Sequence, residues 1–298
     1  MKQIVRYIRG YFYEVDKTIL ITLSLFASVL VFVNYYYGLD AAINKEHQFA
    51  ATFSYRYLIF VTAFAVPYLV YFFAKKEIKA PPAFIFLLLL APALFAIKTS
   101  VNFNFGGLNG EYWSHTIYWP FHFIILVIIL LFLWKTFDND QPFYGVKYKS
   151  VNWKPYWLML LIMVPLIAAA STQADFLAMY PKIKTVTEDA SISWWQKIVF
   201  ELAYGSDFIS IELFFRGFLI LAFIKYAGKD AILPMACFYC TIHFGKPLAE
   251  CISSYFGGII LGVVVYHTRS IFGGVIVHLG IAWMMELGGY IGNEFLFK

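Results

Sequence analysis

The sequence predicts an all-α fold, a polytopic bundle of eight or nine transmembrane helices. Three observations carry this reading. Apolar residues make up 61% of the 298-residue chain, charged residues only 14%, and mean hydropathy is +0.69, whereas ordinary globular chains carry about 25% charged residues. Apolar runs recur at close to the length that crosses a hydrocarbon core, about 20 residues. Aromatic residues reach 21%, with 32 Phe and 22 Tyr, which suits a lipid-facing body with interfacial aromatic belts.

The runs, in order, are 18–39, 57–74, 81–98, 117–134, 155–171, 206–225, 230–246, 251–267 and 271–291, of which the third and seventh are short. In lipid a backbone must satisfy its own polar groups, so each run is read as a helix. Connections are brief except 136–154 and 172–193, which are polar and carry lysines. Segment 192–204 reads as an interfacial helix, with Gly205 breaking it from the following span. Met1 to Lys17 is charged and aromatic and the first apolar run is too long for an h-region, so no cleavable signal peptide is expected.

With the N-terminus inside, inner connections carry 14 Lys and Arg and outer ones 8. That bias sets an N-in topology, and the expected location is the cytoplasmic membrane of a bacterium. The net charge of +5 is spread over loop ends. It makes no clustered basic face, so nucleic acid is excluded as a partner. Membrane lipid is the expected surroundings, and a membrane protein or peptide the expected substrate or partner. No internal repeat is visible. The boundary falls near residue 155: region 1–154 has spans nearly free of ionisable groups, whereas region 155–298 buries acids, histidines and an arginine.

Candidate chemistry begins in Asp207-Phe-Ile-Ser-Ile-Glu-Leu-Phe-Phe-Arg-Gly-Phe-Leu219. Each charge at that depth costs roughly 2.5 to 3.5 kcal/mol on insertion scales, so such residues face a bundle interior and pair. Glu212 and Arg216 are four apart and share a helix face. A packing pair accounts for those two alone, but not for His243 and His278, each set in its own apolar run. Two imidazoles and a carboxylate from three helices suit a divalent cation. They equally suit direct polarisation of water with a carboxylate base. Glu212, Arg216, His243 and His278 are therefore the candidate catalytic residues, and His243 and His278 the candidate metal ligands. Cys237, Cys240 and Cys251 lie in or beside apolar runs and imply no disulfide framework. Cys237-Phe-Tyr-Cys240 has the spacing of a redox or metal pair, but small buried thiols are the commoner explanation. His47, His115 and His122 read as interfacial, Glu201 as solvated, and His267 beside Arg269 as an inner-face anchor.

The order and spacing of Ile211-Glu212-x-x-x-Arg216, Tyr239-x-x-x-His243 and His278-x-x-x-Ala282 resemble the CPBP family. These are intramembrane metalloproteases that include the CAAX prenyl endopeptidases and the bacteriocin-immunity proteins. The family pattern is Glu-Glu-x-x-x-Arg, aromatic-x-x-x-His and His-x-x-x-Asn or Asp on consecutive membrane helices. The resemblance covers about residues 195–290 and implies a membrane metalloendopeptidase with zinc as its metal. In the family the first acid and the second-motif histidine are held to activate water, while the third-motif His and Asn steady the oxyanion. Here Ile211 replaces the first acid and Ala282 the Asn or Asp. Losing one oxyanion donor costs about 10²–10³ in rate.

Glu212 points about 100° away from the Ile211 direction on a 3.6-residue helix, so it does not replace the lost acid. Asp207 lies one turn before Ile211 and Glu286 one turn after Ala282, on the same faces. On antiparallel helices both steps run outward, towards Lys246 and Glu250, so Asp207 and Glu286 are additional site candidates. The simpler alternative makes Asp207 a helix cap after Gly205 and leaves Glu286 to interfacial water. Two functions follow: a CPBP-type endopeptidase, or an inactive relative acting as a membrane binding, immunity or assembly subunit. A small-solute transporter is disfavoured because the polar half has no repeat partner.

Overall fold

The computed structural model describes residues 2–75, 78–107, 109–147, 152–186 and 192–295. Among these, all regular structure is helical. Helix α1 (Lys2–Glu14) is amphipathic, burying Ile4 and Tyr11. It lies on the last-but-one long helix, with Tyr7 stacked on His267 at 4.3 Å. Asp16 then caps α2 (Lys17–Tyr37), its carboxylate accepting from the amides of Thr18 and Ile19. In α2 the buried positions Ile19, Leu23, Ala27 and Val31 recur every four residues and end in a polar one, Asn34. A short α3 (Leu39–Asn44) leads into α4 (Phe49–Lys75), α5 (Pro82–Ser100) and α6 (Gly110–Phe137). After the long connection come α7 (Lys154–Ala170) and a short α8 (Ala174–Met179).

The core region starts at α9 (Trp194–Ile211), closed at its N-terminus by a Ser193–Gln196 capping box. A π-helical segment, Glu212–Ala222, continues it without a break, followed by the short α10 (Ile224–Ala227). Then come α11 (Ile232–Thr241), α12 (Leu248–Thr268) and α13 (Phe272–Phe295). Gly205 does not separate an interfacial helix from a span, as its flexibility suggested. It is the close-approach point of α9 and α13, where a Cβ would stand 3.2 Å from Leu279 and 3.3 Å from Trp283. Asp207 is consequently mid-helix and caps nothing.

Among the described residues, six helices are long and apolar enough to cross a membrane: Lys17–Tyr37, Phe49–Ala74, Pro82–Ser100, Gly110–Phe137, Leu248–Thr268 and Phe272–Phe295. The other three expected runs take shorter forms. Run 155–171 is the 17-residue α7, run 206–225 the end of α9 plus the π segment, and run 230–246 the 10-residue α11 with its following turn.

The π segment is buried at every position from Glu212 to Ala222. Around it Phe60, Phe64, Phe95, Phe214, Phe215 and Phe238 meet at centroid distances of 5.1 to 6.2 Å. Each such pair adds about 0.5–1.5 kcal/mol beyond its area. Much of the phenylalanine that composition assigned to the lipid face is therefore interior, and α4 and α5 of the first half supply part of it. His122, expected at the interface, is buried on α6 with Nδ1 on the Tyr118 carbonyl at 2.7 Å.

A polar link joins the two halves at depth. Lys98 on α5 pairs with Asp207 on α9, and the Ser210 hydroxyl donates to the same carboxylate at 3.0 Å. Removing one member of a buried pair leaves the other charge uncompensated, at a cost of about 3–5 kcal/mol, whereas an apolar replacement of both is close to neutral. Lys98→Met is accordingly expected to lower the thermal unfolding midpoint in detergent markedly, and Lys98→Met/Asp207→Leu to recover most of the loss.

Candidate functional site

Glu212 opens the π segment with no exposed surface, and Arg216 follows one turn on at 1% exposure. Their ion pair closes at 3.2 Å between Nη1 and Oε1. His278 reaches in from α13, its Nδ1 3.0 Å from the same Glu212 oxygen, and its Nε2 3.1 Å from the Tyr239 hydroxyl on α11. Arg216 lays its guanidinium 3.9 Å from the Tyr239 ring centre. One carboxylate, one guanidinium, one imidazole and one phenol thus form a closed chain across three elements. A neutral imidazole satisfies it when Nδ1–H donates to Glu212 and Nε2 accepts from Tyr239.

His243 joins through the same tyrosine. It lies two residues past the end of α11, half-buried, with its ring 4.8 Å from that of Tyr239. Its Nδ1 is 3.0 Å from the Tyr239 carbonyl, which only accepts, so Nδ1–H donates and Nε2 carries the lone pair. The turn that carries His243 is clamped from α2 and α3. Asn34 donates to the Phe244 carbonyl at 3.0 Å, the Tyr35 hydroxyl donates to Lys246 at 2.5 Å, and the Asp40 carboxylate packs where Gly245 lacks a side chain.

The structure therefore brings together Glu212, Arg216, His243 and His278, with Tyr239 touching both imidazoles. Ile211 is buried in the main hydrophobic cluster and Ala282 is buried on α13. No carboxylate stands at position 211 to pair with His243. The outward-shifted candidates do not join. Asp207 belongs to Lys98, and Glu286 is 6% exposed, with Oε2 accepting from the Lys182 amide at 2.7 Å. Glu286 is not left to interfacial water, because the 180–186 connection covers it. That connection is fastened by Tyr180, which donates to Glu250 at 3.0 Å and accepts from Lys246 at 2.7 Å. Glu201, expected to be solvated, is half-buried, and its Oε2 is shielded without a partner.

Zinc does not fit these side chains as they stand. Both nitrogens of His278 are engaged, and the Glu212 oxygen it meets already faces a guanidinium. Among the described residues no three His, Cys, Asp or Glu are grouped so as to hold a metal ion.

Residues 193–284 match the family model of type II CAAX prenyl endopeptidase Rce1-like proteins. That segment is similar to the CAAX protease (CPBP) family. The match spans the π segment, α11, α12 and the first half of α13, about a third of the chain, and so covers every member of the polar chain. No curated protein and no solved structure matches it.

Several residues around the site carry little signal in the sequence. Tyr239 entered only as a motif aromatic, and nothing in the spacing signalled that its hydroxyl would take the outer nitrogen of His278. Asn34, a polar residue late in an apolar run, was the available signal for the α2 clamp. Gly273-Gly274, one turn before His278, signalled a close approach. A Cβ on Gly274 would fall on Glu212 Oε2, which has no hydrogen-bond partner of its own. Overpacking at such a point costs about 1–3 kcal/mol. Gly274→Ala is expected to destabilise more than Gly280→Ala, where the atoms met are the ends of a Leu160 side chain. Thermal midpoints of the two variants check the order.

Lys182 lies outside the membrane-spanning segments. Burial first, and the Lys246 ammonium second, push its pKa down to about 7. An unfolded lysine titrates near 10.4. Between those values the unfolded state binds more protons, so this group makes stability rise with pH across that window. Denaturation midpoints followed from pH 7 to pH 10 are expected to show a shallower rise in Lys182→Met.

Proposed function

We propose that this CAAX protease relative is a non-hydrolytic membrane protein that uses the family scaffold to hold a membrane peptide or protein partner. The observation that carries the reading is the self-contained Glu212–His278–Tyr239 chain. It engages both nitrogens of His278, and among the described residues no carboxylate hydrogen-bonds to His243, whose Nδ1 is on the Tyr239 carbonyl. Hydrolysis needs a base that turns water into a nucleophile and donors aimed at the oxyanion. Here Ile211 takes no proton and Ala282 donates no hydrogen bond. His243 keeps an unprotonated Nε2, the atom through which residual hydrolysis would run.

The proposed setting is a bacterial cytoplasmic membrane with the N-terminus inside. Nine crossings arise when α7, α9 with its π segment, and α11 are added to the six longer helices. The polar contacts support this by sorting into two sets. Glu14–Lys229 and Asp138–Lys225 join connections assigned to the inner side. Tyr180–Lys246–Glu250 and Lys182–Glu286 join those assigned to the outer side.

The test is incubation of the chain, reconstituted in lipid nanodiscs, with a fluorescent prenylated peptide ending in a CAAX tetrapeptide. Binding by anisotropy with the peptide recovered intact is the expected result, with no cleavage above that of His243→Ala. Cleavage by the wild-type chain that is lost in His243→Ala would overturn the reading in favour of a peptidase.

A further inference from the structure

The Cys-x-x-Cys spacing pairs Cys237 with Cys240, but the fold pairs the thiols otherwise. Cys237 aims its sulfur across to α2, 3.9 Å from the Leu23 carbonyl. Cys240 near the end of α11 and Cys251 in the first turns of α12 face each other with their sulfurs 3.9 Å apart. Each thiol also lies against the other residue's carbonyl, at 3.4 Å and 3.7 Å. We propose that Cys240 and Cys251 are a redox modification site, able to form a disulfide that bridges the two ends of the His243 turn.

The geometry needs little change. A disulfide holds its sulfurs about 2.05 Å apart, so they approach by about 2 Å, and α11 and α12 already pack side by side along this seam. Both thiols are buried in the resting fold, which makes them inert until something opens. The opening is at hand in the first turn of α12. It follows Pro247 with no side-chain cap, Leu248 in it is 46% exposed, and Gly245 just before it is exposed. Uncapped first turns are among the first places a helix opens, and Cys251 lies at the inner edge of this one.

The oxidant is a small neutral azodicarboxamide. The Cys251 thiolate adds to the N=N bond, forming S–N. The Cys240 thiolate then attacks the Cys251 sulfur, S–S forms and S–N breaks. Two thiols are oxidised to one disulfide, the azo group is reduced to a hydrazine, and the two thiol protons end on its nitrogens. The cross-link would tie the His243 turn to α12, in addition to the Asn34 and Tyr35 clamp from α2. This inference is independent of whether the chain hydrolyses anything.

The test uses the full chain in nanodiscs: treatment with the azodicarboxamide, alkylation of remaining thiols under unfolding conditions, digestion and mass spectrometry. The expected product is a Cys240–Cys251 cross-linked peptide, two hydrogens lighter than its parts and reversed by dithiothreitol, with Cys237 alkylated. The cross-link should persist in Cys237→Ala and vanish in Cys251→Ala. A Cys237–Cys240 cross-link, or alkylation of all three thiols in the wild-type chain, would overturn the proposal, and the wild-type result decides it without any variant.

Discussion

A charged carboxylate with no exposed surface, inside a protein read as sitting in lipid, is the constraint from which the rest of the core follows. Glu212 is fully buried, and its charge is met by Arg216 one turn along and by His278 from α13. Desolvating two ions costs several kcal/mol each and is offset only when geometry and further hydrogen bonds are good. The surroundings supply them. Tyr239 gives the guanidinium an aromatic face and the imidazole a hydroxyl, and Gly274 leaves room for the second carboxylate oxygen. The three elements that meet here are held in register by that network as much as by the phenylalanines packed behind it.

The same network bears on chemistry. A group that stabilises a buried ion by being fully engaged is not free to move a proton to or from water. Ile211 and Ala282 add no polar group to the network, and the ion pair, the imidazole and the phenol all serve to meet the Glu212 charge. His243 meets that network only through Tyr239, and it is held by that residue's carbonyl and by a turn that α2 clamps from outside the matched segment. The N-terminal helices thus shape the neighbourhood of the site although they carry no recognised motif.

Much of this was legible in advance, for physical reasons that can be named. Glu212 and Arg216 had to pair, because four residues on one helix face at lipid depth leave few alternatives. His243 and His278 had to turn inward, because an imidazole facing acyl chains goes unsatisfied. Asp207 and Glu286, candidates because each lies one turn from a replaced group at 211 or 282, sit elsewhere because partners remote in sequence take them: Lys98, 109 residues away, and the Lys182 amide, 104 residues away. Gly205 was read as a break because glycine usually breaks a helix, but here it permits α9 and α13 to touch.

The sequence alone determined that the chain is helical, that it suits a membrane, and which ionisable residues must be buried together. Those outcomes follow from local composition and from spacing along one helix, where each residue's neighbours are its own chain. Only the tertiary structure decided which nitrogen meets which oxygen, which cysteine faces which, and which loop covers Glu286. Those contacts join positions on separate helices, and their relative rotation and height are set by the sum of all packing rather than by any one segment.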